Sequence, residues 1–324
     1  MVGLTPLDPL NKVRHKWRNR LHTVLLAGGS LLLLVACAYV FAGLAGIFWA
    51  ALLGGLSLWM SARMSPDLIL RLYKARRLEP EDFPEGHRIL RLIAARADLP
   101  APPDLYYVPS NLMNAFSVGT PQDSAIGVTD ALIRRLTPRQ FAGVIAHELS
   151  HIRNEDIKVM ALADMVSRLT SVMSMVGLFT LFLNFPAILA GGGRVPWLGI
   201  ALLWTAPTIG ALLQLALSRA REYDADLDAA GLTGDPEGLA SALVHLEKSQ
   251  GRMWEMMLPG GRVPQPSVLR SHPKTSERVR RLLSLKPPER PFLDLPDGRP
   301  KPPRGSVPVI RGPRTRLSVM GLWY

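Results

Sequence analysis

Cysteine is almost missing from this chain. Cys37 is the only one in 324 residues, which excludes a disulfide within the chain and any cysteine-rich metal knuckle. Acidic residues are also scarce, 26 against 38 Lys and Arg, for a net charge of +12. The excess lies at the two ends: residues 1–22 carry five basic residues against Asp8, and residues 270–324 carry thirteen against four acids. Aromatics make up only 7%, and no zinc finger, basic helix dimer or aromatic-studded strand accompanies the basic ends. Nucleic acid is therefore not an expected partner. Basic flanks beside apolar blocks fit an anionic lipid surface at the cytoplasmic leaflet instead. No repeat of solenoid period is present.

What the chain has is apolar sequence gathered into blocks. Hydrophobic residues reach 48% beside 20% charged, and the mean hydropathy is +0.15. Leu21 to Ala62 carries no acidic or basic side chain apart from His22. That is too long for one span and long enough for two in a tight hairpin, with Gly43 or Gly46 near the bend. Lys12, Arg14, Lys16, Arg18 and Arg20 precede it, and Arg63, Arg71, Lys74, Arg76 and Arg77 follow, so both ends are expected on the cytoplasmic side. Leu34–Val35–Ala36–Cys37 resembles a lipoprotein processing site. The apolar run continues far beyond it, as it does beyond any signal-peptide cleavage point, so Cys37 is read as a small apolar residue within a span. Leu169–Ala190 and Val195–Ser218 are again free of charge and of spanning length, a second hairpin.

Between the hairpins the pattern is that of a soluble α+β domain. A helix is predicted around His87–Ala97, then three short strands at Leu105–Val108, Ala115–Val118 and Ala125–Val128. Thr129 and Asp130 offer a cap for a short helix through Leu136. Thr137, Pro138 and Gln140 form a capping-box start for a helix whose apolar positions are Phe141, Val144, Ile145, Leu149 and Ile152.

That helix carries His147, Glu148, Leu149, Ser150 and His151. A four-residue step on a helix brings the two imidazoles onto one face, one turn apart, the spacing one zinc ion needs. Glu148 lies where its carboxylate can reach a water at the metal as general base without being a ligand. A catalytic zinc wants a third protein ligand, with Glu155, Asp156, Glu222, Asp224, Asp226, Asp228, His245 and His272 available downstream. Glu222 is favoured, because it is the first acidic residue of the segment REYDAD right after the second hairpin. Asp226 follows one turn on along the same face, placed to hold a ligand histidine's second nitrogen.

Read in order, NAF at Asn114–Phe116, HELSH, two apolar blocks, SRAREYDAD and SHPKTSER resemble the HtpX family of bacterial and archaeal membrane zinc proteases, relatives of the CAAX prenyl proteases. The likeness runs from about residue 21 to 285. It implies one zinc per chain held by His147, His151 and Glu222, with Glu148 activating water and Asp226 supporting a zinc histidine. It implies that Asn114, Ala115 and Phe116 lie on a strand that takes substrate backbone, and that His272 and Arg278 contact substrate or transition state, His272 the better candidate for the oxyanion.

The expectation is thus a mainly α membrane protein. About four transmembrane helices in two hairpins would carry a cytoplasmic zincin-like α+β catalytic domain with a small sheet and the HExxH helix. The segments are a basic N-terminus (1–20), a first hairpin (21–62), a catalytic segment with the sheet and HExxH helix (63–168), a second hairpin (169–218), a catalytic segment with the third zinc ligand (219–286) and a Pro-rich basic tail (287–324) expected to be disordered. The expected activity is a zinc endopeptidase of the inner membrane acting on membrane proteins or misfolded chains, a quality-control and stress-response role that the resemblance implies. The alternatives are a CAAX-type prenyl-peptide protease, for which about four spans are few, and a non-catalytic zinc-binding scaffold.

Overall fold

The computed structural model describes residues 9–62, 66–190, 197–257 and 274–285, together with Leu293, Leu295 and Gly298. His272 and most of the tail lie outside the described residues. In chain order the elements are α1 (Pro9–Ala62), α2 (Pro66–Leu72), β1 (Arg76–Arg77), α3 (Pro84–Arg96), β2 (Asp104–Val108), β3 (Ala115–Gly119), β4 (Ser124–Thr129) and α4 (Asp130–Arg135). They continue with α5 (Pro138–Arg153), α6 (Asp156–Leu189), α7 (Trp197–Thr233), α8 (Pro236–Met257) and α9 (Thr275–Leu283). They form two compact units.

The first unit holds α1, α6, α7 through Leu227 and the start of α9 through Arg278. Among the described residues, three helices, within α1, α6 and α7, are long and apolar enough to cross a membrane. The first of them is broken: Ala42 and Gly43 leave helical geometry, Gly43 at φ +60° and ψ −142°, a conformation glycine reaches without strain. A Cβ on Gly46 would stand 2.1 Å from the Ala38 carbonyl oxygen. Residues eight apart in a continuous helix lie about 12 Å apart, so α1 doubles back, as the run of sequence predicts. Cys37 is fully buried, packed with Leu203 and Ala206 of α7. Where the sequence reading began the second apolar block at Leu169, α6 starts at Asp156. That buried carboxylate accepts from Arg221 Nε of α7 at 2.6 Å.

The second unit holds the sheet, α2 to α5, α7 from Asp228, α8 and the rest of α9. Its sheet runs β1-β2-β4-β3, with β2 and β4 parallel and the other pairs antiparallel. The three predicted strands are present, and the two-residue β1 adds a fourth that a run of two arginines did not signal. The predicted capping box forms at the start of α5: Gln140 N–H donates to Thr137 Oγ1 at 3.3 Å, and Thr137 N–H to Gln140 Oε1 at 3.1 Å. The apolar face of α5 enters a core with Ile89, Ile93, Leu105, Ile126 and Leu132. On another side α8 approaches so closely that a Cβ on Gly143 would lie 2.9 Å from Leu239 Cα. Arg139 fastens the same two helices, its Nη2 2.7 Å from Asp235 Oδ1, while that oxygen accepts from Gly238 N–H at the start of α8.

One expectation changes here. Thr129 precedes α4 but makes no side-chain cap. Its hydroxyl donates to the Asn114 carbonyl and accepts from the Asn114 N–H, each at 3.0 Å. Within the tail, Leu293 and Leu295 pack half-buried against the core of the second unit.

Candidate metal centre

His147 and His151 project from one face of α5, the first buried and the second half-buried. Their rings meet edge to face at 4.7 Å between centroids, and the two Nε2 atoms are 3.2 Å apart. Two imidazole nitrogens on one tetrahedral zinc, each about 2.0–2.1 Å from the metal, would be separated by about 3.3 Å. The helix thus holds the pair at the spacing a shared ion requires, with no rotamer change.

Glu148, between them in sequence, is half-buried and accepts a hydrogen bond at Oε2 from Ser117 Oγ at 3.0 Å. Ser117 lies on β3, the edge strand, in register with Ile126 of β4. Alternation turns Ser117 toward α5, while Phe116 and Val118 pack toward α2. Ser117 belongs to none of the motifs that mark the site in the sequence. Its signal is that it stands two residues beyond Ala115, on the same strand face, in the segment that follows Asn114.

Glu222 is buried in the first unit, and so is Asp226 one turn along α7. Both are held by Arg278, the first residue of α9 to be buried. Nε and Nη2 of Arg278 donate to the two Asp226 oxygens at 2.7 and 2.6 Å, and Nη1 stands 3.0 Å from Glu222 Oε2. Glu222 and Asp226 therefore share a face as expected, and Arg278, expected beside substrate, is 7% exposed and committed to carboxylates. The Arg278 guanidinium thus joins two buried carboxylates, Glu222 and Asp226. The preceding Arg221 fixes the backbone here through Asp156, and its Nη1 also reaches Asp224 at 3.2 Å. Two imidazoles and one carboxylate, His147, His151 and Glu222, are a donor set that could hold a metal ion.

Asn114 is exposed at the entry to β3, its backbone pinned by Thr129. Ala115 and Phe116 follow on the strand, half-buried, with the Phe116 ring 4.8 Å from that of Tyr73.

A family model described as Peptidase family M48 matches residues 80–286. The chain belongs to peptidase family M48. A protease HtpX homolog of Burkholderia ambifaria is 32% identical over 289 residues, covering 82% of this chain and 97% of that protein. One from Burkholderia multivorans is 34% identical over 251 residues, covering 71% and 82%. Among solved structures, the crystal structure of Ste24p from S. mikatae is similar at a TM-score of 0.48 and 22% identity, covering 83% of this chain and 66% of that one. As an M48 member homologous to HtpX proteases and carrying long apolar helices, the chain is a membrane metalloprotease.

Proposed function

We propose that this M48 member is a zinc-dependent endopeptidase in which His147, His151 and Glu222 hold one zinc ion and Glu148 is the general base. The observation that carries the reading is the 3.2 Å approach of the two histidine Nε2 atoms on one face of α5, beside a carboxylate oriented by Ser117. Zinc bound there supplies Lewis acidity toward water and the scissile carbonyl. Glu148 takes the proton of the attacking water on a carboxylate oxygen and returns it to the leaving amine. Ser117 keeps that carboxylate from rotating away. Arg278 acts by position, holding Glu222 with Nη1 while Asp226 braces its other edge, so Asp226 works through Arg278. Substrate backbone adds to the outer edge of β3 at Ala115 and Phe116, with Asn114 at the entry. His272, outside the described residues, would contact the peptide carbonyl or the developing oxyanion, as the resemblance implies.

Substrates in this reading are membrane proteins or unfolded chains, since apolar helices confine the site to the bilayer surface. The two arms of α1 with α6 and α7 make four crossings. A cytoplasmic site is supported by Arg71, Lys74, Arg76 and Arg77 after the first pair and Arg219 and Arg221 after the second. Purified chain should contain about one zinc and cleave unfolded casein in a chelator-sensitive way. Glu148→Gln should keep the zinc while cleavage falls about 10²- to 10⁴-fold. Casein cleavage that survives both the chelator and Glu148→Gln would refute this assignment.

A further inference from the structure

The exposed face of α2 has no role in the chemistry above, and its composition is unusual for a water-facing surface. Leu68 and Leu72 stand one turn apart, 49% and 75% exposed, with Tyr73 beside them at 55%. Arg71 and Lys74 flank them, both exposed. Long apolar and aromatic side chains interleaved with basic ones are the pattern of a helix that lies in a lipid headgroup layer. The chain itself supplies the reason for that occupant. Only three residues separate Ala62, the last of the apolar helix α1, from Pro66, the first of α2. Four residue steps reach at most about 14 Å, and the headgroup region on each side of the hydrocarbon is about 5–8 Å deep. An α1 that leaves the bilayer near Ala62 cannot deliver α2 far from the lipid surface.

The opposite face of α2 is fastened to the sheet. Leu70 is buried against Val118 of β3 and Ala125 of β4, with Ile69 and Phe116 packed around them. Just past the end of α2, one side of the half-open Tyr73 ring meets that of Phe116, tilted, at 4.8 Å between centroids. One short helix thus joins an apolar, basic outer face to the edge strand that carries Ser117.

We propose that the outer surface of α2 and of the turn after it, formed by Leu68, Arg71, Leu72, Tyr73 and Lys74, docks into an anionic lipid headgroup layer and seats edge strand β3 against it. The segments β3 receives are then those that emerge next to a membrane span. This rests on α1 crossing the bilayer and on β3 as the substrate strand.

The test uses the full chain in liposomes of phosphatidylcholine and phosphatidylglycerol, in a Cys37→Ala background. Single nitroxide labels are placed through Leu68→Cys, Leu72→Cys, Glu79→Cys and Leu52→Cys. Labels at 68 and 72 should show a several-fold higher ratio of oxygen to nickel-chelate accessibility than the label at 79, and approach that at 52. A 72 label as open to the chelate as the 79 label, with the 52 label still shielded, overturns the docking while leaving the membrane reading of α1 intact. A 52 label open to the chelate removes both. Shielding at 72 that appears only when a casein peptide is added overturns the proposal in favour of a substrate subsite. In parallel, Leu68→Ser with Leu72→Ser should reduce cleavage of a liposome-inserted substrate several-fold, with casein cleavage and zinc content retained. An equal loss on both substrates also overturns it.

Discussion

Ser117 and Arg278 are single residues whose influence exceeds their visibility in the chain. Removing the Ser117 hydroxyl frees the Glu148 carboxylate to leave its orientation without touching the metal ligands. Ser117→Ala should therefore lower kcat by about 10-fold with KM and zinc content unchanged, a loss of the size of one hydrogen bond to a charged group. Ser117→Thr should recover most of it. Equal kcat in the alanine variant would show the bond to be incidental. Glu222→Gln should weaken the metal itself, because the donor set loses its anion. Arg278→Lys keeps charge but loses the fork that spans both Asp226 oxygens. It should cost about 10- to 100-fold in zinc affinity, read by competition with a chelating dye. His147, Glu148 and His151 were legible because helical period alone places them. Ser117 was not, since its partner Glu148, 31 positions away, depends on how β3 lies against α5.

At the scale of elements, the contact of α5 with α8 decides how firmly the histidine pair is held. Gly143 is one turn before His147, and its missing side chain is what lets Leu239 backbone approach. Gly143→Val should destabilise the chain by about 1–3 kcal/mol through overpacking, visible as a lower thermal midpoint. An unchanged midpoint would mean that α8 can move away without cost. Leu293 and Leu295 make a second element-level case. Ending the chain after Gly298 should leave stability unchanged, whereas ending it at Leu285 removes two half-buried leucines and uncovers the core they pack against. That should cost about 1–3 kcal/mol, their share of burial. Composition concealed this, because proline and basic residues dominate the segment and only the core of the second unit shows why two leucines recur.

For the whole molecule the decisive quantity is the orientation of the spans. A reporter fused after Tyr324 should be active only in the cytoplasm, as the basic residues beside α1 and α7 require. Periplasmic activity would invert the assignment and with it the compartment of every substrate. The break at Ala42–Gly43 was readable in advance, because about 42 residues without Asp, Glu, Lys or Arg exceed one span and a glycine marks the bend. The continuity of α7 from Trp197 to Thr233 was not. Read from sequence, Ser218 closes the apolar block and the charged REYDAD segment opens a new one, yet nothing there stops a helix and none ends.

The amino-acid order by itself determined whatever depends on local period and on length. That covers the capped α5 with its paired histidines, the three longer strands, the apolar blocks and the shared face of Glu222 and Asp226. Each follows from about 3.6 residues per turn, alternation along a strand, or the thickness of a bilayer. Only the tertiary structure decided the partners that lie far apart in the chain: Ser117 with Glu148, Thr129 with Asn114, and Arg278 with Glu222 and Asp226. Arginine carries the same charge whether it faces substrate or braces a carboxylate. Which of these it does is set by the packing that buries it, and packing is a property of elements brought together, not of any one of them.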